Sequence, residues 1–186
     1  NHVDHAGRHA ISTASPLTII SANMVRAPGG VGIEISGGSH SIVTGNIIDG
    51  AGGPIAALLI ATEGTDEVVV SGNQILNSTA ANGAIQINAG HRLIVTGNSI
   101  SGATVGYGIF VNGNGDDLVL AGNIVSRCFL SGMRIAVGNR IQVSCNTVRE
   151  NNLGNILGHG GILRYPGADS ILTGNIVTGN LQGDLV

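Results

Sequence analysis

Val95-Thr96-Gly97-Asn98-Ser99-Ile100 is one of six near-copies of a single phrase. The others are Val43-Thr44-Gly45-Asn46-Ile47-Ile48, Val70-Ser71-Gly72-Asn73-Gln74-Ile75, Leu120-Ala121-Gly122-Asn123-Ile124-Val125, Val143-Ser144-Cys145-Asn146-Thr147-Val148 and Leu172-Thr173-Gly174-Asn175-Ile176-Val177. Working outward in the same register adds Asn23 and Asn1, so that successive asparagines are 22, 23, 27, 25, 25, 23 and 29 residues apart. A period of this size, carried by strand-forming aliphatics with no helical stretch between copies, marks a solenoid. Each repeat is one coil that buries its apolar face on its neighbours. The prediction is an all-β solenoid of about seven coils, with residues 1–186 forming one domain. Asn1 falls at a coil corner and Gly183 opens a further coil, so both ends are expected to lie within a coil of a longer solenoid.

Aligned on the asparagine, each coil carries two apolar runs. The upstream run reads Gly32-Ile33-Glu34-Ile35 in one coil and Gly108-Ile109-Phe110-Val111 in another, and its alternation places Ile33 and Ile35 inward with Glu34 outward. The second run puts an aliphatic three residues before the asparagine (Ile20, Val43, Val70, Val95, Leu120, Val143, Leu172). Another lies two residues after it (Val25, Ile48, Ile75, Ile100, Val125, Val148, Val177). These columns are the predicted core.

Two further columns predict surface features. Six residues before the asparagine stand His40, Glu67, Arg92, Asp117, Arg140 and Asp169, with charge alternating coil by coil from Glu67 onward. Coils stacked at about 4.8 Å would bring opposite charges together along one turn. Four residues before the asparagine stand Ile19, Ile42, Val69, Ile94, Val119, Gln142 and Ile171. If this column faces outward it forms an apolar stripe that a second chain is expected to cover, a homo-oligomer with a trimer favoured; otherwise the strand kinks and the column faces inward.

Composition removes several function classes. The chain has no lysine, its eight arginines are scattered and its formal net charge is −3, so no basic footprint for nucleic acid exists. The longest apolar run, Ile55 to Ala61, is too short to span a bilayer, and no membrane partner is expected. Only 2% of residues are aromatic, so the core must come from stacked small aliphatics. Cys128 and Cys145 fall at different corners of adjacent coils and read as two buried free thiols, and no Cys/His quartet has zinc spacing. The 11 acidic residues do not gather as a calcium site would need, so neither a metal nor another cofactor is predicted.

The phrase and coil length resemble the right-handed parallel β-helix family, the pectate-lyase-like solenoids, over the whole chain. That resemblance implies a single-stranded right-handed parallel β-helix with coils of 22–29 residues. It also implies a structural ladder of turn asparagines, here Asn23, Asn46, Asn73, Asn98, Asn123, Asn146 and Asn175. Asparagine suits the role, since its amide donates to one coil and accepts from the other.

Members of the family generally bind glycans on the outward column of the first strand. In this sequence that column is Ser12, Glu34, Leu59, Gln86, Phe110, Arg134 and Leu163, with Asn88, Asn112 and Tyr165 two residues beyond. Glu34, Gln86, Asn88, Phe110, Asn112, Arg134 and Tyr165 are therefore the expected glycan contacts, with Phe110 as a stacking ring; an ordinary solvated strand face is the competing reading. Glu34 and Arg134 are four coils, about 19 Å, apart and cannot form one acid–base pair.

The densest polar cluster, His2, Asp4, His5 and His9 with Arg8, reads first as a frayed, solvated loop at the chain terminus and second as a source of acid–base chemistry. It resembles the Asp-Pro-His phrase of β-helix epimerases and lyases, but lacks the proline, and the chain has no lysine. Asp116-Asp117 and Gly158-His159-Gly160 resemble the elements of β-helix polygalacturonases, although Asp117 belongs to the charge column. The expectation is a glycan-facing domain of a lyase, epimerase or depolymerase type of protein at an extracellular, cell or virion surface. The alternative is a non-catalytic, adhesin-like scaffold.

Overall fold

The computed structural model describes residues 1–61, 64–113, 115–165 and 169–184. The coil expected to begin at Gly183 runs into residues 185 and 186, outside the described residues. One coil shows the plan. A leading strand Ile33–Ile35 is followed by a middle strand Ile42–Thr44, the asparagine corner at Asn46, and a trailing strand Ile47–Asp49. Each strand pairs in parallel with its equivalent in the next coil, as Ile33 with Leu58, Val43 with Val70 and Ile48 with Ile75. Repeated along the chain, this gives a leading sheet of seven strands, a middle sheet of seven and a trailing sheet of eight, with no helix among the described residues. The solenoid has about seven coils, as its repeats predict.

The core lies between the three sheets. Val43, Val70, Val95, Leu120 and Val143 from the middle sheet and Val25, Ile48, Ile75, Ile100, Val125 and Val148 from the trailing sheet are buried to within 1% of full burial. Ile33, Ile35, Leu58, Ile85 and Ile109 meet them from the leading sheet. Burying a side chain of this size contributes about 1.5–3 kcal/mol, and the repetition multiplies it coil by coil. At the last coil Leu172 and Val177 are only partly buried.

The asparagine corner is a hydrogen-bonded column. The Asn73 Oδ1 accepts from both the backbone N–H and Nδ2 of Asn46, at 3.0 and 2.9 Å, and the Asn73 Nδ2 donates to the Val43 carbonyl at 2.9 Å and to Asn98 Oδ1 at 3.0 Å. The same pattern runs from Asn23 to Asn175, and Asn1 joins through Nδ2 to Asn23 Oδ1 at 3.0 Å. Backbone and side-chain groups that a dry corner would leave unpaired are thus satisfied by one residue type. The residue before each asparagine is left-handed, which explains its glycines; Ala22 (φ 52°) and Cys145 (φ 55°) adopt the same conformation at a steric cost.

A second, shorter asparagine column was not legible in the sequence. Five residues after the corner stand Ala51, Ser78, Ala103, Cys128, Asn151 and Asn180, all buried. Asn151 Oδ1 accepts from the Cys128 N–H at 3.0 Å, and Asn180 Oδ1 from Asn151 at 2.9 Å. Where this column is bulky, the facing leading-strand residue is glycine: a Cβ on Gly132 would lie 2.4 Å from Val148 Cγ1 and 2.6 Å from Asn151 Nδ2. Where it holds Ser78 or Ala103, the facing position is Ala57 or Ala84. From Ser78 to Asn180 the two columns compensate in volume, as close-packed interiors require, whereas the small Ala51 also stands with a glycine, Gly32.

Both predicted surface columns are present. Arg92 and Glu67 approach to 3.0 Å and Arg140 donates to Asp117 at 2.8 Å, two exposed ion pairs within the alternating column, and His40 lies 3.1 Å from Glu67. In the middle sheet Ile19 is 67% exposed, Ile171 69%, and Ile42 and Ile94 about 40%, with Val69 and Val119 half-buried. The stripe faces outward, and the kinked-strand alternative is excluded. One expectation fails: Cys128 is buried, but Cys145 is exposed, because its left-handed corner turns the side chain away from the core.

Candidate functional site

The outward column of the leading sheet has the predicted register. Ser12 pairs with Glu34, Glu34 with Leu59, Leu59 with Gln86, Gln86 with Phe110, Phe110 with Arg134 and Arg134 with Leu163. The face is not an ordinary solvated strand surface. Leu59 and Gln86 are 2% exposed, Phe110 is 4% and Leu163 6%. Leu59 forms a small apolar cluster outside the core with Val31 and Ala56, flanked by Ile55 and Ala61.

Strict alternation breaks at the start of these strands. Ala84 and Ile85 both belong to the core, and the ladder passes from Gly83 opposite Tyr107 directly to Ile85 opposite Ile109. The kink turns Tyr107 outward, onto the same face as Phe110. Their ring centroids are 4.9 Å apart, and the Arg134 guanidinium lies 5.1 Å from the Tyr107 centroid, 4.7 Å from Phe110 and 4.9 Å from Tyr165. Its Nη1 donates to Tyr107 Oη at 3.0 Å. Three of the chain's four phenylalanine and tyrosine residues thus surround one arginine. The Phe110 ring, read from the sequence as an open stacking platform, is instead covered by Tyr107 and the guanidinium.

His159 completes this cluster. Its ring is 5.6 Å from that of Tyr107, and its Nδ1 lies 3.2 Å from Ser131 Oγ, which also accepts from the Gly160 N–H at 3.1 Å. The Ser131 hydroxyl, while accepting from the Gly160 N–H, keeps both a donor and an acceptor function toward the His159 Nδ1. Desolvation, then the Arg134 charge, hold the His159 pKa below its ordinary value, while burial raises that of Tyr107 against the opposing pull of Arg134. Gln86 donates to Asn88 Oδ1, Asn88 is half-buried, and Asn112 and Tyr165 are exposed beside the cluster.

The amino-terminal polar cluster does not stay together. His2 and Asp4 lie on the trailing sheet, paired in register with Met24 and Arg26, and are therefore part of the solenoid and not a loose terminus. His5 sits in the following left-handed turn, 2.8 Å from Asp4 and well exposed. His9 alone reaches the leading sheet, where its Nδ1 lies 3.1 Å from Glu34 Oε2, the oxygen that accepts from Ser12 Oγ at 2.9 Å. The His9 contact has the distance of an ion pair without the angles of a hydrogen bond. Beside it is a pocket of about 210 Å³ lined by Arg8, His9, Val31, Pro54, Ile55 and glycines. The face therefore has a carboxylate–imidazole end and an arginine–aromatic end, with Leu59 and Gln86 between them.

Asp117 belongs to the charge column beside Arg140, and Asp116 Oδ1 accepts from the backbone N–H and Nδ2 of Asn139 at 3.2 and 2.9 Å. Both aspartates hold a turn, and the comparison with His159 ends there. Among the described residues, no group of three or more His, Cys, Asp or Glu is placed to hold a metal ion, and no helix is long and apolar enough to cross a membrane.

Three long parallel sheets wound around an aliphatic core, with an asparagine ladder at one corner, define a parallel β-solenoid. The family model for the right-handed beta helix region matches residues 1–114 and 59–186, and the chain belongs to that family. No curated protein matches it. Among solved structures, it is similar to the crystal structure of the bacteriophage CBA120 tailspike protein 2 enzymatically active domain. The TM-score is 0.59 at 14% identity, with 93% of this chain and 35% of that chain covered. At this identity the likeness is one of fold, and the chain spans about a third of that structure's length.

Proposed function

We propose that the chain is a glycan-facing β-helix domain of a polysaccharide-processing protein, working at an extracellular, cell or virion surface, and that saccharide lies along the outer face of the leading sheet. The observation that carries this reading is the gathering of Tyr107, Phe110 and Tyr165 around Arg134 on that face, in a chain with so few aromatic residues. Aromatic edges and faces beside amide side chains supply the apolar and hydrogen-bonding contacts that a sugar ring offers in return. Gln86, Asn88, Asn112 and Arg134 are the polar contacts in this reading. Glu34 with His9 is the pair available for proton transfer at the far end of the face. The fold shared with a phage tailspike enzymatic domain agrees with it.

A glycan array, followed by reducing-end and unsaturated-uronate assays on any glycan retained, tests the proposal. Retention with product formation supports a lyase, epimerase or hydrolase; retention without product supports a binding module; no retention removes the reading. The exposed isoleucines of the middle sheet favour a second property of the same molecule, self-association through Ile19, Ile42, Val69, Ile94, Val119 and Ile171, with a trimer as the expected state. Sedimentation that finds monomer alone at high concentration removes that part.

A further inference from the structure

Resting on the self-association of the middle-sheet stripe, we propose that two copies of the chain pack these faces together antiparallel, a dimer in place of the trimer expected from the stripe alone. The neighbouring charge column selects this arrangement. Each of its residues stands two places before a stripe residue, so His40, Glu67, Arg92, Asp117, Arg140 and Asp169 flank Ile42, Val69, Ile94, Val119, Gln142 and Ile171 coil by coil. All six are exposed beside the stripe. In a parallel assembly closed by rotation, two-fold or three-fold, equal levels meet, so Glu67 lies level with Glu67 and the column gains no opposite charge.

Turning one copy end for end, about an axis that lies in the interface and crosses the solenoid, brings the two charge columns to the same edge in opposite order. Register then matters. An axis level with Arg92 sets Arg92 against itself and Glu67 against Asp117, which like charges oppose. Moved half a coil, to the gap between Ile94 and Val119, it sets Arg92 against the partner's Asp117, Glu67 against the partner's Arg140 and His40 against the partner's Asp169, each pair occurring twice. The same register lays Ile94 on the partner's Val119 and Ile42 on the partner's Ile171. A cavity of about 250 Å³ lined by Arg140, Ile141, Gln142, Asp169 and Ile171 lies where the partner's Ile42 enters. Exposed charge pairs add little energy, but they fix orientation. Six overlapping coils at about 4.8 Å and a face about four residues wide cover a few hundred Å² on each copy, below the roughly 800 Å² of a standard interface. The dimer is therefore expected to be weak and to depend on concentration.

Sedimentation equilibrium of the full chain at rising concentration, with reversed charges, tests the pairing. Glu67→Arg sets two cations against each other at two places in its own dimer, and Arg140→Glu does the same with two carboxylates. Each variant alone is expected to raise the dimer dissociation constant by at least about tenfold, or about 1.4 kcal/mol. An equimolar mixture of the two is expected to restore it, because each reversed charge then meets its opposite. Arg92→Glu with Asp117→Arg obeys the same logic and stands in if either variant of the first pair fails to fold. A wild-type trimer, or a dimer that either variant leaves unchanged, would overturn the antiparallel pairing while leaving self-association intact. Weakening in both variants without recovery in the mixture would also overturn it. Monomer alone at every concentration would remove self-association and this pairing together, and the glycan array reports separately on the leading face.

Discussion

The asparagine corner and the outer face of the leading sheet run side by side along the solenoid, and they differ in what they repeat. At the corner every coil contributes the same residue, and each amide is bonded to the coil above and below. On the outer face each coil contributes something different, from Glu34 through Leu59, Gln86 and Phe110 to Arg134. A column that must satisfy the same backbone groups in every coil converges on one solution. A column freed from that requirement carries polar atoms with no internal partner, at Gln86 Oε1 and Arg134 Nε. Repetition marks what holds this molecule together, and its interruption falls on the face along which we propose that glycan lies.

Breaking the repeated column should produce the largest effect. Asn98→Ala removes the acceptor for both the N–H and Nδ2 of Asn73 and the donor to the Val70 carbonyl and Asn123 Oδ1, all buried. Denaturant unfolding should show a loss of about 3–6 kcal/mol, since each stranded buried group costs about 1–3 kcal/mol. Asn175→Ala, at the half-buried last coil, should lose less than half of that. Next comes the volume trade between neighbouring columns. Gly132→Ala forces a methyl against Val148 and Asn151 and should cost about 1–3 kcal/mol, whereas Ala84→Gly in the same column should cost only about 0.5–1 kcal/mol.

The two cysteines sharpen the contrast between buried and turned-out columns. Burial pushes the Cys128 thiol up to about 12, so a thiol-labelling reagent at neutral pH should modify Cys145 in the folded protein and reach Cys128 only on unfolding. On the outer face, Arg134→Gln should let the His159 pKa rise toward its ordinary value, because one of the two influences depressing it is removed; a proton titration of the imidazole reads this directly. The smallest effect belongs to the exposed ion pairs. Hydrogen bonding to Arg140 holds the Asp117 carboxyl below its ordinary value, so the pair's contribution is present above the unfolded carboxyl pKa and fades as pH falls through the folded one. Arg140→Ala should flatten that acid limb slightly, and added salt should mask the difference.

What could be read from the sequence follows the same division. The coils, the core columns, the asparagine ladder, the charge stack and the outward isoleucines were legible because each is sampled in most coils. The Asn151–Asn180 column was not, since the same position holds Ala51, Ser78, Ala103 and Cys128 elsewhere and shows no common residue. Tyr107 escaped for a different reason. Strict strand alternation has no place for two successive inward residues, and the kink between Gly83 and Ile85 is what rotates its equivalent, Tyr107, beside Phe110. The meeting of His9 with Glu34 depends on the path of a connecting segment, whose length varies from coil to coil and which no repeat specifies.

The central claim is that the varied face, and not the repeated corner or the apolar stripe, is the surface that receives glycan. Backbone and side-chain resonances of the full chain, followed while an array-selected oligosaccharide is added, test it most directly. The account predicts saturable shifts at Gln86, Phe110, Asn112, Arg134 and Tyr165, with the asparagine ladder and Ile19, Ile42 and Ile94 unmoved. Shifts centred on the middle-sheet isoleucines, with the leading face silent, would contradict it.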